Sequence, residues 1–277
     1  MVTGVQTCAL PILHVDIEKV LASKGVKRAP RFLVNFLKKI IHQDELNDLL
    51  SQCAGLTGVP FAKRALELLD VKYRIHHPEN IPQDGGRYIF ASNHPLGGLD
   101  GLIMISLIGE KMGDVRFVVN DLLMFIKPLE EVFVPVNKFR RMSQEYADRI
   151  NAAFESDAQM LYFPAGLCSR LIKGEIVDLE WKKTFVTKAI EHNRGIIPVH
   201  FSGKNTMFFY RLAKLRKFLG IKFNIEMMFL VDEMFKKRGH SFDIYIREPI
   251  PSTDITKEKS ANQWTEHIRK LSYGTSN

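Results

Sequence analysis

Residues 87–101 read RYIFASNHPLGGLDG, and two different patterns meet in this stretch. Residues 87–92 form a short apolar and aromatic run, which is typical of a buried strand. From Gly101 the chain continues as GLIMI, which is typical of an apolar helix. The polar residues between the two runs surround a Gly-Gly pair. A strand that leads through a polar loop into a helix is the repeating unit of an α/β domain.

The same alternation continues along most of the chain and predicts the fold class. Strands are predicted over 71–76, 87–92, 115–119, 131–136, 159–163, 195–201, 225–231 and 242–247, with helices between most of them. We therefore expect an α/β fold, with a mostly parallel central sheet flanked by helices. No internal repeat, low-complexity tract or long linker interrupts it.

The N-terminal part of the chain has a helical pattern instead. Residues 16–24, 31–53 and 61–69 are predicted helices, and Phe32, Phe36 and Ile40 recur on one face of the second. We expect a helical N-terminal region over 13–70 and an α/β domain over 71–277. This region either packs on the core or leans on a membrane. Residues 1–12 read as a translated sequencing-adapter oligonucleotide and are expected to be an assembly artefact.

Composition narrows the classes of partner. The 277 residues are 45% hydrophobic and carry a formal net charge of +8, which favours anionic partners such as an acidic lipid surface, an acidic carrier protein or nucleic acid. The three cysteines show neither disulfide nor zinc spacing, so a reducing cytoplasm fits best. No run approaches the roughly 18 apolar residues of a transmembrane helix.

Polar loops follow four of the predicted strands. In open α/β sheets, ligands bind beyond the carboxyl ends of the strands. The loops that we expect at that edge are Asn93-His94, Asn137-Lys138, Pro164-Ala165-Gly166 and Ser202-Gly203-Lys204.

His94 is the strongest catalytic candidate in these loops. An imidazole with a pKa near 6.5 accepts a proton at neutral pH when a carboxylate holds its tautomer. Asp100 supplies that carboxylate if Gly97-Gly98 lets the chain curl back. The alternative is a plain strand-to-helix turn, with Asp100 as the helix N-cap. The stretch by itself does not choose between the two.

A second block, LYFPAGLCSR at 161–170, favours the catalytic alternative. Together with Asn93-His94 and Asp100, it resembles the glycerolipid (lysophosphatidate) acyltransferases, whose hallmark is a His and an Asp separated by four residues, followed by F-P-E-G-x-x-S-R. Residues 132–138 and 196–199 resemble the second and fourth blocks. NHPLGGLDG, FVVNDLLM and DLEWKKTF are more similar to a hemolysin-like bacterial subgroup that includes glycine and ornithine aminolipid O-acyltransferases.

The resemblance implies a mechanism and a site. His94, oriented by Asp100, would deprotonate the acceptor hydroxyl, which would attack the thioester of acyl carrier protein or coenzyme A. No cofactor and no metal are implied. Backbone amides around 166–168 are candidate oxyanion donors. The expected substrate-binding residues are Asn93, Lys138, Pro164, Ala165, Gly166, Ser169 and Arg170.

Three departures from the family pattern bear on the acceptor. One additional residue lies between His94 and Asp100, Ala165 replaces a glutamate, and Lys138 replaces an arginine that would grip a phosphate bidentately. We therefore expect a carboxylate-bearing lyso-aminolipid as acceptor. The alternatives are lysophosphatidate and, from a different class, a membrane-binding hemolysin-like protein without catalysis.

Residues 207–219, MFFYRLAKLRKFL, form an amphipathic helix with many cations. We expect it to lie at the inner face of the cell membrane, which would make the protein cytoplasmic and peripheral. The expected membrane contacts are Phe208, Arg211, Leu212, Lys214, Leu215 and Lys217. An ordinary helix over the sheet is the alternative.

Other functions are disfavoured by missing motifs. No G-x-S-x-G elbow, Walker loop, G-x-G-x-x-G or nucleic-acid module occurs in the chain. Cys168 is disfavoured as a nucleophile because no partner base adjoins it in the sequence. His200 is either a structural histidine or an acceptor contact.

Overall fold

A computed structural model describes residues 14–23, 30–120, 123–124, 126–136, 144–221, 224–256 and 258–274, and the structural statements below concern these residues. Its centre is a seven-stranded sheet. The strands are β1 (Lys72–His76), β2 (Tyr88–Ser92), β3 (Val115–Asn120), β4 (Phe133–Val136), β5 (Gln159–Tyr162), β8 (Gly195–Phe201) and β9 (Ser241–Ile246). They lie side by side in the order β1-β9-β8-β2-β5-β3-β4. A separate hairpin consists of β6 (Arg170–Ile172) and β7 (Glu175–Val177).

The sheet is mostly parallel, as expected. β8, β2, β5, β3 and β4 all run the same way, and the antiparallel pairing is between β8 and β9. β2 lies near the middle, with Ile89 opposite Met160 of β5 and Ile196 of β8. The carboxyl ends of these parallel strands therefore share one edge, and the loops that begin at Asn93, Pro164 and Ser202 all start there.

Helices cover both faces of the sheet. The N-terminal helices are α1 (Ile17–Ser23), α2 (Arg31–Ile40), α3 (Gln43–Gln52) and α4 (Gly58–Leu68), and they are followed by α5 (Gly98–Met112), α6 (Gln144–Glu155), α7 (Thr184–Glu191), α8 (Met207–Phe218), α9 (Leu230–Phe235) and α10 (Ala261–Tyr273). Alternate residues of β2 point to opposite faces. Phe90 packs in the core with α4 and α5, whereas Ile89 packs in the core with α6, α7 and α10.

Two expectations about local structure are wrong, and one hairpin has no counterpart among the expected elements. Residues 225–231, predicted as a strand, form a 3₁₀ helix over Ile225–Phe229 that leads into α9. A short apolar run fits a helix as well as a strand, and the buried Glu226 in this one faces two arginines. The predicted helix 31–53 is two helices, because His42 adopts a left-handed conformation with φ 49°. The β6–β7 hairpin was not predicted; its turn places Lys173 and Gly174 at positive φ.

The N-terminal region is helical, although its predicted apolar face is only partly buried. α2 buries Val34, Leu37 and Ile40, but Phe32 is 77% exposed and Phe36 is 53% exposed. Within the described part of the chain, no helix has the length and apolar character needed to cross a bilayer.

Candidate active site

The loop after β2 brings His94 and Asp100 together. His94 Nδ1 lies 3.1 and 3.2 Å from the two carboxylate oxygens of Asp100. Asp100 is fully buried in the first turn of α5, and its carboxylate also accepts hydrogen bonds from the amides of Leu96 and Gly101. The catalytic role of the pair stays a prediction, and the expected N-cap role of Asp100 is wrong. Asp100 orients the histidine and also stabilises the start of the helix, although Gly97 is the N-cap residue.

Gly97 allows the extra residue between His94 and Asp100. Its φ is +87°, a conformation that favours glycine. A Cβ atom there would lie 2.9 Å from Leu230 Cδ2 and 3.5 Å from Cys168 Sγ. Gly98 is under neither constraint, because a Cβ atom at that position would meet nothing within 4 Å. The chain therefore curls back at Gly97 and remains closely packed there.

The surroundings of His94 favour its charged form. Burial opposes the charge, but Asp100 and a hydrogen bond with Cys168 raise the pKa of His94 well above its ordinary value. The ring stacks on Phe163 with centroids 4.1 Å apart, and its side chain retains 15% exposure. Because Nδ1 faces a carboxylate, the other ring nitrogen is the one that can exchange a proton with a substrate.

Cys168 is closer to the site than the sequence indicated. Its side chain is fully buried, and it contacts His94 although the two residues are 74 positions apart. The absence of an adjoining base in the sequence therefore says nothing about its chemistry. His200, in contrast, has a buried Nδ1 without a hydrogen-bond partner among the described residues. Burial lowers the pKa of His200 to about 4, so it stays neutral at physiological pH.

Asn93 fixes the start of the loop. Its side-chain amide donates to the carbonyl of Phe201 at 2.9 Å and accepts from the amide of Phe201 at 2.7 Å. The side chain thus pairs the carboxyl end of β2 with that of β8, much as a backbone peptide would. The expected substrate contact through Asn93 stays a prediction.

The second block follows β5 and runs against the first. The Pro164 carbonyl accepts from the amide of Lys182, and Ala165 packs in the core beneath α6 and α7, where a glutamate would be buried. Gly166, at φ +64°, donates its amide to the Phe163 carbonyl, so this turn uses one of the candidate oxyanion donors. Ser169 donates its amide to the His94 carbonyl at 2.9 Å.

The family of the chain is now clear. A family profile described as Acyltransferase matches residues 17–277. The chain belongs to the acyltransferase family. It is 45% identical over 263 residues to the lyso-glycine lipid O-acyltransferase of Bacteroides thetaiotaomicron, covering 94% of this chain and 96% of that relative. It is 46% identical over 266 residues to the protein of the same name from Phocaeicola vulgatus, covering 95% of each.

A solved structure is also similar. The 1-acyl-sn-glycerophosphate (LPA) acyltransferase of Thermotoga maritima aligns with a TM-score of 0.47 and 18% identity, covering 93% of this chain and 86% of that one. Membership of the family makes the chain an acyl-group transferase, which confirms the expected class of enzyme.

Arg170 of this acyltransferase lies in a buried charge cluster that the sequence did not predict. Arg170 Nη2 donates to Glu226 Oε1 at 3.0 Å, and Arg216 Nε donates to Glu226 Oε2 at 2.8 Å. Glu226 is fully buried, while the two arginine side chains are 11% and 16% exposed. Two cations share one anion, so the cluster keeps a net positive charge next to the second block.

A further buried carboxylate, Asp178, joins the two blocks. It accepts from the His94 amide at 3.2 Å, from the Ser169 hydroxyl at 2.6 Å and from Trp181 Nε1 at 3.0 Å. Burial raises the pKa of Asp178, and the hydrogen bonds from Ser169 and Trp181 oppose that shift. The only sequence signal was the stretch DLEWKKTF, to which no role was given.

The remaining expectations about substrate contacts stay predictions. Lys138 lies outside the described residues. The hydroxyl of Ser169 and the guanidinium of Arg170 are bonded within the protein, so their contacts with substrate stay predictions. No group of His, Cys, Asp or Glu suited to hold a metal occurs among the described residues.

The predicted membrane helix is α8, and its apolar stripe is turned outward. The helix buries Phe209, Tyr210 and Ala213. Phe208, Leu215 and Phe218 are 49%, 53% and 85% exposed, and Leu212 is half-buried. The cations Arg211, Lys214 and Lys217 are exposed beside them. The helix thus covers the protein with one face and exposes the other, and its membrane contacts stay a prediction.

Proposed function

We propose that this acyltransferase transfers an acyl chain to the hydroxyl of a lyso-glycine lipid, an N-acyl glycine whose chain carries a hydroxyl. The observation that carries the proposal is the His94–Asp100 pair, in a chain about as long as two relatives that bear this name. A base beside a buried carboxylate is what deprotonation of an alcohol requires.

The proposed reaction is a direct transfer. The ring nitrogen of His94 that does not face Asp100, Nε2, removes the proton of the acceptor hydroxyl, whose oxygen attacks the thioester carbonyl. The new C–O bond forms, the C–S bond breaks, and the leaving thiolate takes the proton back from His94. Asp100 stabilises the imidazolium that forms between these steps. The donor is an acyl thioester of acyl carrier protein or coenzyme A, and no cofactor is needed.

The charge cluster supports an acceptor with a single negative charge. Glu226 neutralises one of the two arginines, so the net charge near Arg170 fits a carboxylate better than a phosphate, which carries about −1.5 to −2 at neutral pH. Arg170 follows Ser169, whose amide donates to the His94 carbonyl, and this adjacency supports a role for the cluster in holding the same acceptor.

The proposed location is peripheral, at the inner face of the cell membrane. The exposed Phe218 and Leu215 of α8 would enter the headgroup region, and Lys214 and Lys217 would face anionic lipids. This surface would bring the acceptor to the site without a membrane-spanning segment.

The acceptor is tested with the purified full chain and a panel of lipids. An N-(3-hydroxyacyl) glycine and lysophosphatidate are compared, each with acyl-coenzyme A and acyl-acyl carrier protein, and the products are identified by mass spectrometry. We expect acylation of the glycine lipid at least about ten-fold faster than of lysophosphatidate. Acylation of lysophosphatidate alone would refute the acceptor. No transfer to any hydroxyl, with intact binding to vesicles, would favour the non-catalytic alternative.

The location is tested by sedimentation with anionic and with neutral vesicles. We expect Phe218→Asp to reduce binding to anionic vesicles by about ten-fold or more. The matched control is Ile190→Asp, because Ile190 is an equally apolar, 51% exposed residue on α7. Equal effects of the two variants would contradict a specific role for α8.

A further inference from the structure

Asp178 closes a ring of hydrogen bonds around the catalytic loop. The His94 amide lies 3.2 Å from each carboxylate oxygen of Asp178, and the Ser169 hydroxyl donates to Oδ1 at 2.6 Å. Ser169 in turn donates its own amide to the His94 carbonyl at 2.9 Å. The backbone of His94 is therefore held on both its N–H and its C=O side.

The bonding pattern favours the anionic form of Asp178. All the groups described on its two oxygens are donors: the His94 amide, the Ser169 hydroxyl and the Trp181 indole N–H. An ionised carboxylate accepts from all three groups at once, whereas a protonated carboxyl would turn the Ser169 hydroxyl into an acceptor and keep fewer lone pairs for the two N–H groups. Asp178 is 3% exposed, so these bonds replace its hydration.

We propose that Asp178 is a positioning residue for the acyl-transfer reaction: it fixes the backbone of His94 against the second block, while Asp100 fixes the ring. The inference rests on the proposed role of His94 as the base. Asp178 therefore sets the position of the His94 backbone, and Asp100 sets the orientation of the imidazole ring.

Positioning of this kind acts on the chemical step more than on binding. A shift of about 1 Å in a catalytic group costs on the order of 100-fold in rate. Ser169 belongs to the block that carries Arg170, so Asp178 also sets the distance between the base and the charge cluster. Trp181 donates to Oδ2 of the same carboxylate and packs in the core on Phe185, but it takes part in neither link to the loop.

The test compares Asp178→Asn with a matched control, Trp181→Phe. Asparagine is nearly isosteric, but its N–H₂ group only donates: the Ser169 hydroxyl must turn to accept from it, and a single uncharged oxygen is left for the N–H groups of His94 and Trp181, so the ring of bonds is weakened. Trp181→Phe removes one donor to Asp178 and also perturbs the core, yet it leaves the bonds to His94 and Ser169. We expect Asp178→Asn to lower kcat by about 100-fold, with the donor KM changed less than about three-fold. Asp178→Glu should restore part of the rate.

Two outcomes would overturn the proposal. One is a kcat for Asp178→Asn within about three-fold of that of Trp181→Phe at equal thermal stability. The other concerns the double variant Asp178→Asn/Ser169→Ala. If the two residues act in one network, the double variant should lose less kcat than the product of the two single losses. A loss in kcat equal to that product would overturn the proposal.

A readout without turnover separates this inference from the proposed function. In the full chain labelled with [¹⁵N]histidine, the His94 ring signal is identified by its absence in His94→Gln. We expect this signal to shift and broaden in Asp178→Asn but not in Trp181→Phe. An unchanged signal would overturn the positioning role. The kinetic comparison uses whichever acceptor the wild type acylates. It therefore tests Asp178 even if the proposed glycine-lipid acceptor is refuted.

Discussion

Replacing Asp100 with asparagine tests the dyad, because the structure sets the expected size of the effect. The carboxylate oxygens lie 3.1 and 3.2 Å from His94 Nδ1 in a buried site. At an effective dielectric constant of about 20, unit charges about 4 Å apart attract by about 4 kcal/mol. That energy corresponds to about three pKa units, or a rate factor of about 10³ if it is expressed only in the transition state.

The assay is the pH profile of kcat/KM for acyl transfer, from about pH 5 to about pH 9. In the wild type, Asp100 raises the pKa of His94 well above its ordinary value, so activity should rise with pH through a midpoint above about 6.5. Asp100→Asn should lower the plateau by about 10³-fold and move the midpoint to lower pH, because the partner charge is gone. A plateau within ten-fold of the wild type, or a midpoint moved upward, would refute the reasoning. Thermal unfolding controls for the bonds that Asp100 accepts from Leu96 and Gly101.

Four further outcomes are expected. Gly97→Ala should lower the free energy of unfolding, measured with urea, by about 1–3 kcal/mol, because an alanine there has an unfavourable φ and a Cβ too close to Leu230. Gly98→Ala should leave the free energy of unfolding nearly unchanged. Glu226→Gln should lose about 3 kcal/mol in the same assay, because two buried arginines lose their partner, and an unchanged midpoint would contradict the cluster. Cys168→Ala should keep acyl transfer within about ten-fold of the wild type, since direct attack needs no acyl-enzyme; loss of all transfer by a folded variant would point to a covalent intermediate. Because the pKa of His94 is raised in the folded state, protonated His94 should stabilise the fold, fully below about pH 6.5 and not at all once the pH has risen through the folded-state pKa. Urea titrations at about pH 6 and about pH 9 should therefore give different free energies of unfolding, and His94→Gln should remove this contribution to the difference.

Local patterns predicted much of the fold. The strand at residues 87–92 was found as Tyr88–Ser92, and the strand at 195–201 was found unchanged. Such runs combine apolar residues with clear turn residues at their ends, so the apolar pattern and the turn residues predict the same strand. The run at 225–231 lacks such agreement, because its apolar residues fit either a strand or a helix. Its helical form depends on a long-range interaction, the buried pairing of Glu226 with Arg170 and Arg216.

The candidate site was predicted only where its parts are close in sequence. His94 and Asp100 are six positions apart, at the loop and the first helical turn that follow β2, and the sheet edge places the second block beside them. Asp178 is 84 residues from His94, and its role depends on how two loops meet. A pattern of neighbouring residues in the sequence does not predict such a long-range contact. The same holds for Cys168, whose partner base became visible only in three dimensions.

The central claim is that His94 is the base that activates the acceptor hydroxyl, and one measurement tests it most directly. Single-turnover acyl transfer to an N-(3-hydroxyacyl) glycine is compared between the wild-type full chain and His94→Ala, with thermal unfolding as the check that both are folded. We predict that His94→Ala loses at least about 10³-fold in the rate of transfer. A folded His94→Ala variant that transfers the acyl chain at the wild-type rate would contradict the account.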